Sequence, residues 1–159
     1  KLVRLAGEPI GEADFFALRA GELGVPVGMI SGDQVVAAQV AAICPWVEQA
    51  IVKEALGNQA GNCLAPVRAR GLIEAAARRA VERARAGALG LYRGVVPPYH
   101  LEVELRDAIG DDMRRNVTSL AGFSIVDDRT IAVEAPDMAL AFRRVAYLGY
   151  ADRPGGTRH

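Results

Sequence analysis

The stretch from Gly7 to Asp33 constrains the fold most, because it joins a helical periodicity to a strand-like run through two chain breakers. Gly7, Glu8 and Pro9 have the composition of a turn, following an apolar strand at Leu2–Leu5. Ala13, Phe16, Ala17, Ala20 and Gly24 then recur at the spacing of one helical face. Gly24 suits a left-handed helix end, and Pro26 cannot continue the helix. Residues 25–30 form a short apolar run that stops at Ser31-Gly32-Asp33, as a buried strand does. The sequence predicts a turn, a helix, a stop and a strand.

The rest of the chain continues the alternation. Gln34–Ile43 is predicted as a helix, N-capped by Asp33 and ended by Pro45. Residues 47–55 read as a strand, and residues 57–61 as a polar loop. Pro66 opens the longest helix, running to about Ala86. Its apolar stripe includes Leu72, Ile73, Ala76, Ala80 and Val81. Residues 87–98 form a loop. Residues 99–106 alternate as a strand with Leu101, Val103 and Leu105 on one side and His100, Glu102 and Glu104 on the other. Residues 107–116 are predicted helical, with Ala108, Ile109 and Met113 inward. Residues 122–126 and 130–134 make a hairpin, and a last helix runs from Pro136-Asp137 to Tyr150. The fold class is α/β, layered as in α+β chains: a mixed sheet with helices packed on it and a C-terminal hairpin followed by a helix. A single domain over residues 1–151 and a loose tail over residues 152–159, ending in His159, are expected.

Composition narrows the function classes. Hydrophobic residues make up 51% of the 159 residues and charged ones 24%, the ordinary globular range. Nineteen basic side chains balance nineteen acidic ones, so no overall field draws nucleic acid or an anionic membrane. No run reaches the roughly 18 apolar residues of a membrane span. The six arginines between Arg68 and Arg85 have the makings of an anion-binding face. Glu74 before Arg78 and Glu82 after Arg79 favour a solvated face instead, and few aromatic residues accompany them. Cys44 and Cys63 have no metal-binding spacing and read as small buried residues of a reducing compartment, the cytoplasm.

Glu12 is the candidate functional residue. It follows Gly11 and sits at the start of the helix, where free backbone N–H groups favour an ionised carboxylate. Such a group suits a metal ligand or a general base. First-turn acids are common for the dipole alone, so Glu12 by itself does not establish either role. His100 with Glu102 and Glu104 has the composition of a metal face, and equally that of the wet side of an antiparallel strand. No phosphate-binding loop, HExxH motif or nucleophile elbow is present.

Gly11-Glu12, Ala20-Gly21, Val25-Pro26-Val27 and Gly32-Asp33 together resemble the D-aminopeptidase family of zinc metallopeptidases. The resemblance continues through Pro45, Val52-Lys53, Leu64-Ala65-Pro66, Asp128-Arg129-Thr130 and Ala135-Pro136-Asp137-Met138. It implies that Glu12 is a zinc ligand in a two-ion site. It also implies short peptides with N-terminal D-amino acids as substrates and a ring-shaped homo-oligomer as the assembly. The family's remaining ligands, and its proposed catalytic histidine, lie N-terminal to the matching segment. The chain is therefore expected to be the C-terminal part of a longer protein. Departures fall at Phe16, where the family has Asn, at Gln39, where it has an acid, and at Asn58, where it has Arg. These departures keep open an alternative, a non-catalytic relative acting as an assembly or binding module.

Overall fold

The computed structural model describes residues 1–57 and 59–151. The expected loose tail and Asn58 lie outside the described residues. The chain divides into two compact units: Lys1–Phe15 together with the chain from Val95 onward, and Phe16–Gly94.

The first unit is built on a five-stranded antiparallel sheet. Its strands are β1 (Leu2–Leu5), β2 (Glu8–Pro9), β6 (Tyr99–Glu104), β7 (Phe123–Ile125) and β8 (Thr130–Ala135), in the order β2-β1-β6-β8-β7. Leu5 faces Leu101, and Leu101 faces Val133, so one row of apolar side chains crosses three strands. Val3, Val103 and Ile131 make the next row. Helix α5 (Met138–Ala151) covers this side with Met138, Ala141, Val145 and Leu148, all buried. Phe15 stacks edge-on against Phe142, with ring centres 5.5 Å apart. The alternation of residues 99–106, the hairpin and the last helix therefore stand as the sequence predicted.

Two expectations change in this unit. Glu8 and Pro9 are not merely a turn: they pair with Leu5 and Arg4 as an edge strand. Ala6 (φ 52°) and Gly7 (φ 85°) supply the two left-handed residues of the hairpin turn, and Pro9 is tolerated because an edge strand need not donate on its open side. Helix α4 spans Asp111–Thr118 rather than residues 107–116. Leu105 and Ile109 donate their backbone N–H groups to the carbonyls of Arg129 and Asp128, at 2.9 and 2.7 Å. Those bonds tie residues 105–109 to the hairpin loop and delay the helix to Gly110, its N-cap. Val117 and Ile109 are buried, whereas Ala108 is exposed.

The second unit holds the mixed sheet. Strand β3 (Met29–Asp33) runs parallel to β4 (Glu48–Ala55), and β5 (Gly61–Cys63) pairs antiparallel with β4. Helix α2 (Gln34–Ile43) makes the crossover that a parallel pair needs, and α3 (Pro66–Arg85) follows β5. Asp33 caps α2 as expected, accepting from the N–H groups of Val35 and Val36. The predicted strand at residues 25–30 lies later, because Pro26 lacks a donor and the pairing with β4 begins at Met29. Val25 is exposed. Strand β5, absent from the sequence reading, carries Cys63 on an exposed edge rather than in the core. In α3 the buried positions are Ala76 and Ala80; Leu72 and Val81 are exposed.

Candidate functional site at the start of helix α1

Helix α1 spans Glu12–Glu22, with Glu12 as its first residue. Gly11 stands at the N-cap and has no side chain to satisfy the free N–H groups. Asp14 takes that part: its Oδ2 accepts the Gly11 N–H at 2.8 Å, and its own N–H reaches the Gly11 carbonyl at 3.2 Å. This is the return half of a capping box, made by an Asp three residues into the helix. Asp14 is 6% exposed, so its carboxylate is committed to the fold.

Glu12 is left outward. Its side chain is exposed and takes part in no hydrogen bond or ion pair among the described residues. The sequence predicted one acid at the helix start; the structure has two, with the capping done by Asp14 and the Glu12 carboxylate unspent. The missed signal was the spacing of Asp14, three residues after Gly11.

The buried side of α1 is also not the predicted one. Phe15, Ala17 and Leu18 are buried, whereas Phe16 is 58% exposed. Two adjacent Phe residues between Ala13 and Ala17 fit two helical faces almost equally well, and the more bulky combination of Phe15 with Leu18 is the one that packs. The helix ends as expected. Val25 N–H reaches the Ala20 carbonyl at 2.8 Å and Gly24 N–H the Gly21 carbonyl at 3.1 Å, with Gly24 at φ 70°. That is the paired C-terminal lock that requires a left-handed residue.

Other sequence candidates are placed separately. Gln39 is half-buried on α2. His100, Glu102 and Glu104 lie on the outer side of the first unit's sheet, where Arg4, His100, Glu102, Ser124 and Glu134 line a groove of about 420 Å³. Glu104 is held by Arg4 at 3.1 Å and approached by Arg129 at 3.6 Å, as salt bridges of a wet sheet face. In the second unit Asp33 pairs with Lys53 at 3.5 Å. The backbone N–H of Val36 and the Lys53 ammonium hold its carboxyl below the ordinary range. Glu48 was not singled out by the sequence. It receives Arg79 at 2.8 Å and Arg83 at 3.0 Å, which accounts for two of the arginines of α3.

A catalytic zinc takes about three protein ligands. Among the described residues, no three His, Cys, Asp or Glu side chains gather to hold a metal. These residues therefore do not fit a zinc ion by themselves; Glu12 offers one exposed carboxylate, at the positive end of a helix.

A family model described as D-aminopeptidase matches residues 1–147. Among solved structures, the chain is similar to the Zn-dependent D-aminopeptidase DppA from Bacillus subtilis, a self-compartmentalizing protease. Identity is 24% and the TM-score 0.78; the match covers 99% of this chain and 56% of that one. The chain thus spans about half the length of the solved relative, and at this identity the likeness is one of fold. No curated protein matches the chain.

Proposed function

The chain belongs to the D-aminopeptidase family, and on that premise we propose that it is part of a zinc-dependent aminopeptidase releasing N-terminal D-amino acids from short peptides. The observation that carries the reading is the division of labour at the helix start: Asp14 caps, and Glu12 stays exposed and unspent. In this proposal Glu12 is one ligand of a site for about two zinc ions, and its other ligands lie outside these 159 residues. The reaction class is metal-assisted hydrolysis. This chain's own contribution is a carboxylate fixed at the positive end of a helix. Residues 1–151 act in it as a single domain. Homo-oligomeric assembly and a cytoplasmic site of action belong to the same proposal. No helix of the described residues is long and apolar enough to cross a membrane.

The test is zinc content and D-alanyl peptide hydrolysis of the full-length natural chain beside Glu12→Gln. Close to two zinc ions per chain in the parent, with zinc and turnover both reduced in a variant that still unfolds cooperatively, is the expected outcome. Stoichiometric zinc unaffected by Glu12→Gln would remove Glu12 from the site. An intact protein without zinc or peptidase activity would favour the second reading, a non-catalytic assembly module. What supports that second reading is Phe16, an exposed apolar ring four residues from Glu12 where the family has Asn.

A further inference from the structure

Helix α3 buries one side, at Ala76 and Ala80. Its opposite side presents Val67, Arg70, Arg78, Val81 and Arg85, all exposed, with Val67 at 75%. Arg70 and Arg85 make no ion pair among the described residues, and Arg78 reaches only the equally exposed Glu74, at 2.9 Å. A stripe that mixes valines with arginines, two of them without an ion pair among the described residues, is unlike a purely solvated face. The charges of the two units are also of opposite sign. Phe16–Gly94 carries nine basic and six acidic side chains, whereas residues 1–15 and 95–151 carry eight basic and twelve acidic ones. On the outer side of the five-stranded sheet, Glu102 and Glu134 border the groove with no side-chain partner among the described residues.

We propose that the α3 stripe of one copy docks on the outer sheet face of the next copy, head to tail. The inference deepens the homo-oligomer part of the function proposed above and rests on it. The spacings match. Arg78 and Arg85 lie two turns apart, about 10.5 Å along the axis. Glu134 sits two residues beyond Ala132, the partner of Glu102, a diagonal of about 7–8 Å. The length of the arginine side chains covers the difference. Because the two faces differ, each copy keeps one of each free, so the contact propagates and closes into a ring if the rotation allows. A second copy fits this pair of faces better than nucleic acid does, since it brings an acidic face to the arginines and arginines to the acidic face, whereas a polyanion complements the arginines alone.

The experiment is sedimentation velocity on the full-length natural chain at about 0.05 M and about 1 M salt, where screening differs several-fold in range. Three partners accompany it: Arg78→Glu/Arg85→Glu, Glu102→Arg/Glu134→Arg, and an equimolar mixture of the two. The parent is expected to assemble at low salt and loosen at high salt. Each double variant should associate at least ten-fold more weakly, and the mixture should regain assembly by alternating the two variants, because the reversed stripe of one meets the reversed face of the other and the unaltered stripe of the second meets the unaltered face of the first. Combining all four changes in one chain should restore assembly. Urea midpoints establish folding, and Arg85→Gln with Glu134→Gln carry the test if a reversal fails to fold. Assembly indifferent to these four charges, or RNA binding lost with the arginines while assembly is unchanged, would overturn the docking faces alone. A parent that is monomeric at every concentration would overturn the homo-oligomer reading as well.

Discussion

Asp14 and Glu12 are two residues apart on one helix turn and are predicted to differ sharply in what they support. Asp14→Ala removes the acceptor of the Gly11 N–H from a buried position and should cost about 1–2 kcal/mol in urea unfolding. On metal-free protein, Glu12→Gln removes only a charge at a helix start and should stay within about 0.3–1 kcal/mol. Equal losses at the two sites would contradict the division of labour. Glu48 makes a pH prediction. Hydrogen bonds from Arg79, then Arg83, hold its carboxyl below its ordinary 4.5. The pairing therefore stabilises the fold fully at neutral pH and fades as pH falls below about 4.5 through the depressed value. Glu48→Gln should lose stability at pH 7 and converge on the parent as the pH falls through that depressed value. Both arginines are more than a third exposed, so screening keeps the difference under about 1 kcal/mol. Of these residues the sequence pointed only to Glu12. Glu48 was illegible because its partners are 31 and 35 positions away, a separation that periodicity does not encode.

The elements show where patterning suffices and where close approach takes over. The apolar alternation of β6 and the Asp33 cap were readable because each depends on neighbours within a few residues. The start of β3 and the start of α4 were not, since strand pairing and hairpin-loop carbonyls set them. Gly21 belongs with the second group. A Cβ there would overlap the backbone carbonyl of Tyr92, from the loop after α3. Gly21→Ala should cost about 1–3 kcal/mol, since neither backbone yields cheaply. Gly71 gives the opposite expectation: it lies inside α3 with open space around its Cα. Gly71→Ala should stabilise by about 0.5–1 kcal/mol, the helix preference of Ala over Gly. Chemical denaturation of the two variants side by side checks both signs.

At the scale of the whole molecule the two units differ in what they bury. The first encloses Tyr99, Leu101, Ile131, Met138 and Leu148, all large and nearly inaccessible. Phe16–Gly94 encloses mainly alanines, Val40, Val47 and Cys44, with Leu18 its largest fully buried side chain, while Val35, Leu56 and Val67 stay exposed. A core of that kind returns little apolar area for a segment of this size. Expressed alone, Phe16–Gly94 should therefore unfold without a cooperative urea transition and bind a hydrophobic dye; a sharp transition would refute this. That contrast was hidden in the sequence, because composition averages over both units, and 51% hydrophobic residues does not say which of them are covered. One small feature of the weaker unit bears on how such a chain avoids sticking to itself. Gln34 donates to the Ala55 carbonyl at 3.1 Å and accepts the Ala55 N–H at 2.9 Å, just past the point where β3 turns into α2. Its amide imitates a peptide group, so the last rung of β4 is already occupied by a side chain, and a stray strand arriving from another molecule finds no open rung there from which to begin a cross-β stack.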